Sequence, residues 1–168
     1  MLDEKQLRTA ISSVLIVGAN GFLGRTIPSL IAARHPNCKI TLLDIAPEKS
    51  SAPYSYLRGD ITDLSSLIEI FQSVKPAVVI HSASPPIPTV GKGDQNLFFR
   101  VNVEGTRNVI EACKETGVKA LVYTSSASVL YDGGNLVNAN EKTPFATRHV
   151  DPYNASKVRP SIFRIADI

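Results

Sequence analysis

At 168 residues, with 43% hydrophobic and 20% charged side chains, the chain has the size and composition of one ordinary globular domain. Its formal charge of +3 is mild and its basic residues are scattered, which gives no support to a nucleic-acid partner. No apolar run approaches the ~18 residues of a spanning helix, the start Met1–Arg8 lacks a signal-peptide core, and Cys38 and Cys113 have no metal or redox spacing. A cytoplasmic protein with reduced thiols and no metal is expected.

Residues 1–12 read as a polar extension, 13–159 as a dinucleotide-binding domain and 160–168 as a divergent tail. A β-branched apolar run predicts β1 over 13–18, followed by glycines at 18, 21 and 24 and a helix over 22–34. A strand, a glycine turn and a helix N-terminus in that order are the context of a dinucleotide fingerprint, here in the spacing G-x-x-G-x-x-G. Gly18 supplies the unusual backbone of the turn, Gly21 lets backbone approach a pyrophosphate, and Gly24 lets the helix pack on the strand. The free N–H groups of the helix start favour phosphate. A second strand over 39–44 ends in Asp44, twenty residues after Gly24, where a carboxylate would take the adenosine ribose hydroxyls. Ile45 and Ala46 follow it, with no adjacent arginine to receive a 2′-phosphate, which points to NAD over NADP.

A Pro/Ser-rich loop over 46–53 leads to β3 near 54–58, and Asp63 caps a helix over 64–73. β4 spans 77–81, and the Pro/Gly-rich stretch 84–93 is a surface loop. Asp94 caps one long helix to Thr116, with Gly117 as its stop. β5 spans 120–124, a Gly/Asn loop covers 132–140, and Asp151-Pro152 opens a last helix. Strands alternating with helices predict a Rossmann-type doubly wound parallel sheet in three α/β/α layers, ordered 3-2-1-4-5, with its crevice above the ends of β1 and β4. Gly18, the stretch His81–Ser84 and the stretch Thr124–Ser126 all fall at strand carboxyl ends.

Tyr153 and Lys157 stand four residues apart, on one helix face. An ammonium beside a phenol favours the phenolate, so the pair can move a proton to or from a substrate oxygen. A hydroxyl from Ser125 or Ser126 could hold that oxygen while hydride passes between the substrate carbon and a nicotinamide. His81 reads as a structural histidine at the end of a buried strand, Cys113 as a core residue and Gly105 as a packing contact.

Six segments in one order resemble the extended short-chain dehydrogenases, and within them the 3β-hydroxysteroid dehydrogenase group of the sterol-4α-carboxylate 3-dehydrogenase kind. They are Gly18–Gly24, Arg58–Thr62, Ile80–Pro85, Val101–Thr106, Leu121–Ser126 and Asp151–Lys157. The resemblance implies that Gly18, Asn20, Gly21, Phe22, Leu23 and Gly24 form the pyrophosphate loop and that Asp44 takes the ribose. It further implies that Asp60 and Ile61 lie along the adenine, that Ala83 and Ser84 pass the cofactor ribose, and that Asn102 fixes that wall. Ser126, Tyr153 and Lys157 would form the triad, with Ser125 competing for the serine role; Tyr153 and Lys157 would also touch NAD. The implied activity is NAD-dependent oxidation of a 3β-hydroxyl of a sterol or steroid to a ketone, with a possible homodimer and association with the endoplasmic reticulum. A nucleotide-sugar epimerase or dehydratase, and an inactive NAD-binding fragment, are the alternatives.

After Lys157 the resemblance stops. Pro160 lacks an N–H and clashes with the carbonyl of Ser156, at about 3 kcal/mol in a helix interior, so the last helix is expected to be about two turns long. The sheet is expected to lack its last strands and the fold its substrate lobe, as in a truncated form, leaving β5 as an edge.

Overall fold

The computed structural model describes residues 11–46, 53–86 and 94–162; what the sequence suggests for 1–10, 47–52, 87–93 and 163–168 lies outside the described residues. Five parallel strands form one sheet in the order β3-β2-β1-β4-β5, as expected. They are β1 (Ser13–Val17), β2 (Lys39–Asp44), β3 (Ser55–Arg58), β4 (Val78–His81) and β5 (Ala120–Tyr123). The register sets Val17 beside both Leu43 and His81, and His81 beside Tyr123. Four carboxyl ends therefore open on one edge, and the loops that follow them meet there.

The strands are apolar on both faces because both faces are covered. Val14 and Ile16 pack with Ile40 and Leu42 against Ile27 and Ile31 of α1 (Phe22–Arg34). Leu15, Val17, Leu43 and Val79 face the other way, onto Leu67 and Phe71 of α2 (Leu64–Val74) and Val109 and Cys113 of α4 (Thr106–Thr116). Each such fully buried side chain contributes about 1.5–3 kcal/mol. Cys113 is a core residue, its thiol pushed up to about 12 by burial. β5 is an edge strand among the described residues.

Caps mark the helix starts. The Asp63 carboxylate accepts from Ser66 N at 3.1 Å ahead of α2, and that of Asp94 accepts from Asn96 N at 2.9 Å ahead of α3 (Gln95–Phe98). The single long helix expected from Asp94 to Thr116 is continuous but not uniform. Its middle, Phe99–Gly105, is wound as a π-helix between α3 and α4. The widened turn seats Gly105 against Ile61, where a Cβ would come within 2.6 Å of the isoleucine side chain, and buries Asn102 completely.

The last helix departs from its expected length. α5 runs Pro152–Ile162, straight through Pro160 and across the anticipated boundary at 159. The missing N–H and the ring clash cost what they cost elsewhere, but tertiary packing outweighs them. Asn154, Ser156, Lys157, Val158 and Pro160 are all buried, and α5 packs on α3, the π-helical segment and a short 3₁₀ turn (Ala127–Leu130). At its start the carboxylate of Asp151 accepts from Asn154 N at 2.7 Å, the expected N-cap.

Candidate active site

The site has two parts. The first is an open cavity of about 280 Å³ at the carboxyl ends of β1, β2 and β4, lined among others by Gly18, Gly21, Asp44, Asp60, Ile61, Ala83 and Ser84. Gly18 adopts φ +85°, and a Cβ there would lie 2.5 Å from Ala83 N. Only glycine is unstrained in that conformation. A Cβ on Gly24 would collide with the Gly18 carbonyl and with Ala19, so the helix sits on the turn with no room between them. The turn is tied down by Gly18 N to Leu43 O at 2.9 Å and Gly21 N to Gly18 O at 3.1 Å.

Asp44 is held before any ligand arrives. Its two carboxylate oxygens accept from Asn20 N at 2.9 Å and Ala46 N at 3.2 Å, and the Asn20 side-chain amide donates to the Ala46 carbonyl. Asn20 thus acts by orienting the acid. Arg58, adjacent to Asp44 in the strand register, donates from Nε to Ile45 O at 3.2 Å. Asp60 turns its carboxylate on Thr62, accepting from its N and Oγ1 at 2.9 Å each. Phe22 and Leu23 do not bring their side chains to the cavity: Phe22 is 96% exposed. They occupy the first turn of α1, where the backbone N–H groups face the glycine loop and the side chains fan outward.

The second part is a buried polar corner beside β5. Lys157 Nζ lies 3.4 Å from Tyr123 Oη and 3.4 Å from the Thr124 carbonyl, and 5.1 Å from the centre of the Tyr123 ring. Burial lowers its pKa to about 8, since a desolvated ammonium is disfavoured. His81 Nε2 is 3.0 Å from Thr106 Oγ1. The His81 ring packs on that of Tyr123 with centroids 5.4 Å apart. Complete burial, then the charge of Lys157, lowers His81 to about 3, so it is a neutral structural ring. Burial, then Tyr153, raises Tyr123 to about 12. Asn102 Nδ2 donates to Ser156 Oγ at 2.8 Å, and Ser156 Oγ donates to the Tyr153 carbonyl at 2.7 Å. The Oδ1 of Asn102 is buried without a hydrogen-bond partner among the described residues.

Tyr153 is half-buried, with the edge of its ring 5.8 Å from Phe98, centre to centre, at 72°. Ser126 caps the 3₁₀ turn: its Oγ accepts from Ser128 N at 3.2 Å and lies 2.8 Å from Ser128 Oγ. The packing of α5 on that turn brings the elements carrying Ser126, Tyr153 and Lys157 together. Ser125 is exposed. Three contributors, Thr106, Tyr123 and Ser156, are not singled out by sequence reading, while Thr124 enters it only as the start of the stretch at the end of β5. Thr106 lies four residues after Asn102 on the same helix, and Ser156 directly precedes Lys157, so proximity along the chain was the available signal. Among the described residues no group of His, Cys, Asp or Glu could hold a metal, and no helix is long and apolar enough to cross a membrane.

The model of the 3-beta hydroxysteroid dehydrogenase/isomerase family matches residues 15–160. The decarboxylating sterol-4-alpha-carboxylate 3-dehydrogenase of Schizosaccharomyces pombe is 38% identical over 152 residues, covering 88% of this chain and 43% of that protein. The human enzyme of the same name is 34% identical over 155 residues, covering 92% of this chain and 40% of its own. The chain thus spans about two fifths of the length of the curated relatives it matches. Among solved structures, the Bordetella bronchiseptica enzyme WbmG in complex with NAD superposes with a TM-score of 0.79 at 27% identity, over 95% of this chain and 51% of that one. The Thermus thermophilus UDP-glucose 4-epimerase complex with NAD gives 0.76 at 30% identity, over 89% of this chain and 48% of that one.

Proposed function

This chain belongs to the 3-beta hydroxysteroid dehydrogenase/isomerase family, and from that premise we propose that it is the cofactor-binding and proton-transfer portion of an NAD-dependent dehydrogenase that oxidises the 3β-hydroxyl of a sterol. The observation that carries the reading is the joining of two parts along one sheet edge. One is a glycine-built cavity with a pre-oriented carboxylate. The other is a lysine of lowered pKa one helical turn after Tyr153. The residues present suit NAD: a backbone cradle that a Cβ at Gly18 or Gly24 would fill, and the Asp44 oxygens at the strand end for ribose hydroxyls. When bound, NAD supplies the hydride acceptor.

Gly18, Gly21 and the first-turn N–H groups of α1, including those of Phe22, Leu23 and Gly24, hold the pyrophosphate. Asp60 and Ile61 flank the adenine, and Ala83, Ser84 and Asn102 form the wall by the second ribose. Tyr153 takes the proton of the 3β-hydroxyl, and the Lys157 ammonium stabilises the phenolate that makes this possible. Ser126 holds the substrate oxygen, with the Ser128 hydroxyl available to re-orient its proton. Ser125 is the competing hydroxyl. Tyr153 and Lys157 also reach the cofactor.

The sterol assignment rests on the curated relatives, which are sterol dehydrogenases over most of this chain; the solved structures of similar fold include a UDP-glucose 4-epimerase. Fusing this chain to the C-terminal half of the S. pombe relative and assaying 4-carboxysterol against UDP-glucose separates the two. NADH formation with the sterol alone is the expected result. Sugar epimerisation without sterol oxidation would overturn the assignment, and NAD binding without either turnover would favour an inactive fragment. Homodimerisation and association with the endoplasmic reticulum belong to the same reading, tested by light scattering and membrane fractionation of that fusion.

A further inference from the structure

We propose that Gly105 and Asn108 are positioning residues for the glycine-turn cavity. Together they seat Ile61, Gly105 by leaving space behind its side chain and Asn108 by holding its backbone, and so they set the width of the slot at the adenine end. The inference rests on the reading of that cavity as the NAD site, and it gives a role to two residues that do not line it.

One face of the helix that runs from α3 through the π-helical segment into α4 serves the cavity along its length. Leu97 and Val101 line the cavity, and Gly105 and Asn108 follow on the same face, four and then three residues further on. At Gly105 the helix approaches Ile61 so closely that a Cβ would lie 2.6 Å from both Cδ1 and Cγ1 of the isoleucine. One turn later, Asn108 Nδ2 donates to the Ile61 carbonyl at 2.9 Å. The backbone at Gly105 is ordinary right-handed helix, φ −59° and ψ −42°. Alanine is the better helix former there, so it is the approach to Ile61, not the backbone, that calls for glycine.

Ile61 is also cavity wall. It is buried and lines the cavity beside Asp60, Val17 and Leu43. Its backbone is tied against a push from the helix. The Asp60 carbonyl accepts from Asp63 N at 3.1 Å, the Asp60 carboxylate accepts from Thr62 N at 2.9 Å, and Asp63 in turn caps α2. The side chain is the part that gives. It is β-branched and stiff at χ1, and it shares a close-packed core with Leu67, Phe71 and Val109, each completely buried. The open space beside it is the cavity itself. A methyl group at position 105 therefore drives Ile61 outward, into the volume that an adenine ring needs.

The test measures binding of NADH, by its fluorescence, and of AMP, by displacement of NADH, to this chain and to Gly105→Ala, Ile61→Ala and the pair. Gly105→Ala should weaken both ligands about tenfold, within the range that overpacking costs. In the Ile61→Ala background the same change should cost less than about twofold, because the atoms it strikes are gone. Its urea midpoint in that background should be no lower, since alanine suits the helix better than glycine. Equal losses of affinity in the two backgrounds overturn the proposal. So does a loss for NADH with AMP unaffected, which would trace the effect through Asn102 to the far ribose. Should Gly105→Ala fail to fold, Asn108→Ala decides: it adds no bulk, releases the Ile61 carbonyl and should weaken AMP and NADH alike by about threefold. Unchanged binding in that variant overturns the proposal. A parent chain that binds neither ligand removes the NAD reading and this proposal with it, whereas a parent that binds both, with equal losses in the two backgrounds, removes the seat alone.

Discussion

The glycine turn and the polar corner are two ways of building half a site. The turn is made from residues 18–24 and is constrained by backbone contacts: φ at Gly18, and the seating of Gly24 on the Gly18 carbonyl. The corner is made from residues 81, 102, 106, 123, 156 and 157, which sit on five different elements and meet through side-chain hydrogen bonds. The turn is nearly open to solvent and the corner nearly closed. A ligand-binding surface can be preorganised by local chain stiffness, whereas a shifted pKa needs desolvation, and desolvation needs several elements packed around the group.

Five measurements sharpen or break this contrast. The largest effect is expected in the corner. Tyr153→Phe, in the fusion described above, should lower sterol turnover by about 10²–10⁴-fold, the ordinary worth of a positioned acid–base group, with NAD affinity within about threefold as the associated control (about 0.65 kcal/mol). Near-normal turnover would move the proton transfer to another residue. On the turn side, Gly18→Ala forces a side chain into a positive φ and onto Ala83 N. Urea unfolding should show a loss of about 3 kcal/mol; a loss under about 1 kcal/mol would mean the turn relaxes freely.

The third measurement is the pH dependence of unfolding. His81 is lowered to about 3 in the folded protein from an ordinary value near 6.5. Between those values the unfolded chain binds a proton that the folded one refuses. Its contribution is therefore fully present above about pH 6.5 and is lost as pH falls toward 3. Urea midpoints should decline across that window, less in His81→Gln. For Lys157, lowered to about 8, the same linkage gives a rise in stability from pH 8 to 10.5. A midpoint flat between pH 3 and 6.5 would break the picture of a buried neutral ring.

The two smaller effects belong to the open cavity. Calorimetry should find NADPH binding about tenfold weaker than NADH, because Asp44 repels a 2′-phosphate, and Asp44→Asn should close most of that gap by exposing the ligand to neighbouring Arg58. Equal binding by the parent chain would remove the assignment. Last, Phe22→Ala should leave both stability and NADH affinity within about 0.5 kcal/mol, since its side chain is in solvent and only its backbone faces the loop. A larger drop in affinity would show that the ring folds over the ligand.

The sequence by itself determined the layered sheet, its order and the turn. Apolar runs at strand length mark strands buried on both faces, and a glycine requirement is a property of one residue's backbone, so both are written locally. It also marked Tyr153 and Lys157, because four residues on a helix fix a shared face. It misjudged Pro160, where about 3 kcal/mol of local cost is outweighed by the burial of Val158, Pro160 and their neighbours on α5. It missed the π-helical winding over Phe99–Gly105 and the contact of Tyr123 with Lys157. The tertiary structure alone decided those, because what brings Tyr123 to Lys157 and to the His81 ring is proximity between residues 34 and 42 positions apart in the chain, and no local pattern encodes which distant group a buried side chain will meet.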